Sequence, residues 1–204
     1  PDGVGDDSFG YTVSDGQDSA SATVEVSVNQ VFDVTAARDA ILAGVTHLAN
    51  PGSPGHMVVW GPTAQVIANY SGQDESDPAV AAATMGAGRV IALPDHQWLN
   101  MDNYQSDAST GNLFRNGLTW LTEGSTDKAI KIVTLNSASS DWLASDGFTN
   151  VVNSSHGKLA ADLNRGGPDE ADVLVTWPGN KPSQAVIDEI VAFTKAGGGL
   201  FICD

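Results

Sequence analysis

The chain has 204 residues, 41% of them apolar, with nine Lys and Arg against 25 Asp and Glu and a formal charge of −16. That length and apolar content fit a globular chain with one sizeable core and exclude a disordered one. The acidic balance argues against nucleic acid and anionic membranes as partners, and suits divalent cations, cationic ligands or salty surroundings. One cysteine excludes an internal disulfide and a cysteine-based metal cluster, and no apolar run is long enough to predict a membrane span. The opening PDGVGDDSFG lacks a methionine and a leader pattern, so it reads as an internal piece of a longer polypeptide. Many Ser, Thr, Asn and Gly beside few basic residues associate with a secreted bacterial protein.

In chain order, SFGYTV and ATVEVSVN alternate at the period of a strand and flank an Asp15-Gly16 turn, which predicts a β-hairpin. Two strands cannot make an independent core, so the hairpin must pack on something else. After NQVFD the period changes: Val34, Ala37, Ile41, Val45 and Leu48 predict a helix with Thr35 as its N-cap. HMVVWG reads as a buried strand, PTAQVIANYS weakly as another, and GQDESDP as an acidic loop. AVAAATMGAGRVIALPD predicts two strands around the Gly86–Gly88 turn. TGNLFRNGLTWLTEG predicts a helix buried along Leu113, Phe114, Gly117, Leu118 and Leu121, with Gly124 just past its end. From Lys128 strands and helices alternate: KAIKIVTLN, SASSDWLASDG, FTNVVNSS, GKLAADLN, ADVLVTWPG, KPSQAVIDEIVAFTKAG and GLFICD. The last helix should bury Val186, Ile187, Ile190, Val191 and Phe193. This alternation predicts an α/β fold, a parallel sheet covered by helices on both faces. Loops starting at Asn136, Ser154, Trp177 and Cys203 fall on its carboxyl edge, where such sheets bind ligands.

Two resemblances follow. DDSFGYTVSDGQDSASATVEVSVN resembles the closing hairpin of cadherin-like, immunoglobulin-like repeats of bacterial adhesins, which implies a spacer or adhesive β-sandwich, often calcium-stabilised, over residues 1–30. VVWGPTAQVI, AAATMGAGRVIALPDHQWLN, NLFRNGLTWLT and VIDEIVAFTKAGGGLFI resemble a class I glutamine-amidotransferase-like module over residues 31–204. That module stands ahead of the catalytic domain in secreted enhancin-like, mucin-active zinc metallopeptidases. The resemblance implies a flavodoxin-like sheet.

In true amidotransferases a cysteine on a strand-to-helix elbow is the nucleophile, with glycine beside it and amide donors facing the oxyanion. Cys203 stands near that position, but Asp204 replaces the glycine, and neither the helix nor a later His and Glu follows. The alternative, a small buried strand residue, has the better support. No H-E-x-x-H occurs, so no zincin centre lies within these residues. In LPDHQWLN, Asp95, His96 and Trp98 could line a sugar pocket, or Asp95 could cap a helical turn with Trp98 in the core. Trp60 and Trp177 are further carbohydrate candidates near strand ends. Calcium needs six to eight oxygens from a shaped loop. Asp2, Asp6, Asp7, Asp74 and Asp77 are weak candidates for it, as are Glu75, Asp102, Asn103 and Asp107, but none has the order of an EF-hand loop. Gly197–Gly199 follow a helix and lack a Walker lysine, so they read as a helix end and tight turn.

The expected function is non-catalytic: a secreted or cell-surface module that positions a larger protein, with a glycan or glycoprotein as partner. A fibre subunit assembling by strand addition is one alternative. A Cys203-dependent hydrolase is the other.

Overall fold

The computed structural model describes residues 5–28, 32–49, 55–71, 77–99, 107–177 and 182–203. The chain divides into two units, Pro1–Phe32 and Asp33–Asp204.

The first unit is the expected hairpin. Strand β1 (Gly5–Ser14) pairs antiparallel with β2 (Ser19–Val28), from Gly5 opposite Val28 to Ser14 opposite Ser19. The turn is built by Asp15, whose Oδ1 accepts from the N–H groups of Gln17 and Asp18 at 2.9 and 2.8 Å, while Gly16 takes φ +93°. Those backbone donors, Asp18 first, hold the Asp15 carboxyl below its ordinary range. Period-2 alternation puts Phe9, Tyr11 and Val13 on one face, opposite Val24, Ala22 and Ala20. The three large residues are 57%, 49% and 62% exposed.

The second unit is an α/β layer structure around one mixed sheet. Its elements are α1 (Val34–Ile41), β3 (Ala64–Asn69), β4 (Pro78–Met85), β5 (Gly88–Leu93), a 3-10 turn (His96–Leu99) and α2 (Ala108–Leu121). Then come β6 (Lys131–Thr134), α3 (Ser137–Ser145), β7 (Asn150–Asn153), α4 (Leu159–Leu163), β8 (Val173–Thr176), α5 (Gln184–Ala196) and β9 (Gly199–Cys203). The sheet order is β3-β4-β5-β9-β8-β6-β7. The five strands from β5 to β7 are parallel; β3 and β4 are antiparallel additions beside β5, so the sheet is mostly rather than wholly parallel.

Helices cover both faces. On one, Phe114 of α2 stacks on Phe201 of β9 at 5.1 Å and meets Trp142 of α3 at 5.3 Å. On the other, Leu159 and Leu163 of α4 and Val186 and Phe193 of α5 pack with Val133, Leu174 and Leu200. Adjacent residues of β9 therefore face opposite layers, as a strand buried on both sides requires. The closing glycines serve packing: a Cβ on Gly198 would strike the Phe193 ring, and one on Gly199 would lie 2.8 Å from Leu121 Cβ.

Several local expectations change. Helix α1 is capped by Asp33, whose carboxylate accepts from Ala36 N at 2.9 Å, not by Thr35. It ends at Ile41 rather than near Leu48, with Gly44 beyond it at φ +67°. HMVVWG forms no strand: Val58 and Trp60 are 85% and 83% exposed. Ile187 of α5 is also exposed, because the helix buries a narrower stripe centred on Val186 and Phe193. Among the described residues, no helix is long and apolar enough to cross a membrane.

Candidate functional site

The carboxyl edge of the parallel strands gathers Asp95, His96, Trp177 and Cys203. Strand β9 lies between β5 and β8, with Cys203 opposite Leu93 and Ile202 opposite Thr176. Two residues past Leu93, Asp95 is 5% exposed and its Oδ1 accepts from Gln97 N at 2.7 Å, capping the 3-10 turn. That turn swings His96 across the end of β9 onto Trp177, the residue after β8. The two rings stack at 4.3 Å with 14° between their planes. His96 Nδ1 stands 3.8 Å from Asp95 Oδ1. The edge thus carries a flat aromatic bridge beside a buried carboxylate.

Trp98 is not part of this surface. It is 1% exposed, donates from Nε1 to Ala49 O at 2.7 Å, and stacks on Tyr70 at 6.1 Å. Of the three residues proposed for a sugar pocket, the structure leaves His96 accessible, keeps Asp95 as a turn cap and commits Trp98 to the core. Trp177, a secondary candidate, takes Trp98's place beside His96, while Trp60 is exposed on a segment outside the helices and strands.

Cys203 is fully buried at the end of β9. Burial pushes its thiol well above the ordinary range, and the Asp95 charge adds to the shift. A nucleophilic cysteine needs the opposite environment, one that favours the thiolate. Asp204, where the amidotransferase pattern wants glycine, lies outside the described residues. Tyr70 feels the same surroundings: burial first, then Asp95 and Asp77, pushes its hydroxyl up to about 12.

The acidic candidates separate. Asp2, Asp74, Glu75, Asp102 and Asn103 lie outside the described residues, and Asp6 and Asp7 are placed only as backbone of β1. Asp77 pairs with His56 Nδ1 at 2.7 Å. Asp107 caps α2 through Thr110 N at 2.6 Å and pairs with His47 Nε2 at 2.6 Å. The Thr110 amide first, and His47 after it, hold the Asp107 carboxyl below its usual range. Among the described residues, no three His, Cys, Asp or Glu side chains converge to hold a metal ion.

The sequence reading missed three features. His47 reaches Asp107 through one nitrogen and Thr46 Oγ1 through the other at 3.1 Å, beside Ser109. Ser109 Oγ bonds the backbone of Thr46 and His47 instead of the imidazole, so this group clamps the chain to the start of α2. At the opposite, amino edge of the sheet, an open cleft of about 420 Å³ is lined partly by Glu123, Glu170 and Asp172. Finally, Thr176 and Ser139 are 0% exposed, yet their hydroxyls have no hydrogen-bond partner among the described residues. Residue-type patterns carry no signal for such hydroxyls, because partnership is decided by neighbours distant in sequence.

A five-stranded parallel run with helices on both faces, its loops gathered at the carboxyl edge, defines an open α/β module of the doubly wound class. Residues 14–204 match the family described as TRPM8, N-terminal domain, and the chain belongs to that family. The match takes in β2 as well as the α/β unit. Among solved structures the chain is similar to IMPa from Pseudomonas aeruginosa in complex with an O-glycopeptide, at 14% identity and a TM-score of 0.60, over 83% of this chain and 20% of that one. It is similar to the IMPa metallopeptidase in complex with T-antigen at 14% identity and 0.59, with the same coverage. For the Pseudomonas aeruginosa enzyme in a third structure the values are 14%, 0.61, 83% and 19%. At this identity the likeness is one of fold. The chain spans about a fifth of the length of these proteins. No curated protein matches the chain.

Proposed function

We propose that this chain is a non-catalytic module of a larger extracellular bacterial protein, which it helps to position on a glycoprotein. The observation that carries the reading is the His96–Trp177 stack across the end of β9, beside the Asp95 carboxylate. Aromatic faces offer apolar contact to a sugar ring, and nearby carboxylates accept from its hydroxyls. The solved structures of similar fold contain, by their descriptions, an O-glycopeptide and T-antigen, which agrees with this partner class. A buried, protonated Cys203 favours support over bond-breaking, as does the lack of a hydrogen bond from it to any described histidine. The test is binding of an O-glycopeptide to the full chain and to Trp177→Ala by calorimetry. The expected result is roughly a tenfold loss for the variant, the size of one lost stacking contact. Unchanged affinity, or no binding by the parent chain, rejects the glycan reading.

A second reading, assembly by strand addition, is favoured by one observation. The hairpin has ten-residue strands with unpaired outer edges among the described residues, and an exposed face of Phe9, Tyr11 and Val13. Concentration-dependent oligomers in light scattering, abolished by Tyr11→Lys, would support it. A chain that stays monomeric at high concentration would not.

A further inference from the structure

After β6 the chain crosses outward to β7 and then returns past β6 to β8, so β7 is one edge of the sheet and β3 the other. Open edges recruit further strands unless something blunts them. The β3 edge is blunted. Its register with β4 shifts at Val66/Ala68 and Ala68/Asn69, and Arg38 of α1 donates from Nε to Ile67 O at 3.1 Å and from Nη2 to Val66 O at 3.3 Å. The β7 edge carries neither device. Its register with β6 runs unbroken from Lys131 opposite Asn150 to Thr134 opposite Asn153, and Asn-Val-Val-Asn contains no charge and no proline. Among the described residues, β7 pairs with β6 alone. Only its length of four residues limits what it can bind.

The edge also selects its own partner. Ser154 N donates to Thr134 O at 2.7 Å, so by alternation Val152 and Asn150 point their backbone groups at β6, while Val151 and Asn153 turn theirs outward. A second copy of β7, antiparallel and related by a two-fold axis at Val152, sets Val151 opposite Asn153 of the copy and Asn153 opposite its Val151. The outward donors and acceptors of both strands are then all paired with one another. The axis stands normal to the sheet, so like faces meet and α3 runs antiparallel to its counterpart. At the end of α3, Arg115 and Lys128 share Asp146 at 2.7 and 3.0 Å. That cationic end is turned toward the first half of the other α3, where Asp141 is exposed.

We infer that β7 is the contact edge of a two-fold dimer of this chain, in which the sheets of two copies join into one. The net charge of −16 on each copy opposes the approach, so the pairing is weak at low salt and tightens as salt screens the repulsion. This inference is independent of the aromatic surface at the carboxyl edge, and it uses a different edge from the hairpin.

Light scattering of the full chain carrying Tyr11→Lys, which removes the centre of the hairpin's apolar face, tests it over a range of protein and salt concentrations. The expected result is a monomer–dimer equilibrium that strengthens with salt. Asn153→Pro deletes one outward N–H from each copy, at an edge position where a strand tolerates proline, and should raise the dimer dissociation constant about tenfold. A second readout does not depend on how that variant folds. In Val152→Cys the two thiols meet across the axis, at the Cα separation of about 4.5 Å of a non-hydrogen-bonded pair, which a disulfide spans. Mild oxidation should link this variant into dimers on a non-reducing gel about tenfold faster than Asn150→Cys, which faces Ser154 of the copy instead of itself. Cys203 is buried and takes no part. A chain that stays monomeric in high salt, undiminished dimerisation of folded Asn153→Pro, or equal linking at positions 150 and 152 overturns the inference. Because Tyr11→Lys is present throughout, loss of the hairpin's own assembly is a separate outcome.

Discussion

At the scale of single residues, the carboxyl edge is decided by burial. Cys203 is a soft, nucleophilic residue type at a strand end, yet its thiol sits in a dry layer beside a carboxylate, where ionisation is opposed twice. Iodoacetamide should therefore modify Cys203 in the native chain roughly a hundredfold more slowly than in urea, followed by mass spectrometry. Equal rates would place the thiol in solvent. Thr176 gives a second expectation. Its hydroxyl is buried without a partner among the described residues, so Thr176→Val removes a desolvation cost and none of their hydrogen bonds. The variant should be as stable as the parent or more stable by about 1 kcal/mol in urea unfolding, where an average core substitution destabilises by about that amount.

At the scale of elements, caps and glycines set the boundaries. Asp107 serves α2 and His47 together, so Asp107→Ala should cost about 1–2 kcal/mol of stability at neutral pH. The folded-state pKa of Asp107 is depressed, so its contribution is present above the unfolded carboxyl value. It is lost as pH falls through the lower folded value, in the range below 3.8. The stability gap between parent and Asp107→Ala should hence narrow on acidification, as measured by urea midpoints at stepped pH. Gly88 opens β5 where a Cβ would strike the backbone oxygens of Thr194 and Gly198, at the end of α5. Gly88→Ala should lower stability by about 3 kcal/mol, more than an ordinary strand glycine, because backbone cannot rotate away as a side chain can. The strand and helix alternation from Lys128 was legible because each element has its own period and its own punctuation: Asn136 and Ser183 cap helices, and Gly197 ends one at φ +125°. HMVVWG was misread for the converse reason. A short apolar run looks alike whether it pairs in a sheet or runs exposed along a surface.

At the scale of the whole molecule, the two units differ in what sustains them. The α/β unit has core clusters on both faces of its sheet, whereas a two-stranded hairpin with one apolar face is marginal alone. Residues 33–204 should unfold cooperatively by circular dichroism with a midpoint close to that of the full chain, and the isolated hairpin should show no transition. A large fall in the midpoint on removing residues 1–32 would mean that the hairpin completes the core of the α/β unit.

The sequence by itself determined the layered α/β class, most of the element order and the edge on which the loops gather, because periodicity and caps are local properties that survive without neighbours. It also determined the acidic surface, which is a matter of counting. Only the tertiary structure decided that Trp98 is core while Trp177 joins His96, that Cys203 is sealed, and that the strand order reverses between β6 and β8. Those outcomes depend on which strands lie side by side, and strand pairing joins residues that are far apart in the chain and indifferent to each other's local pattern.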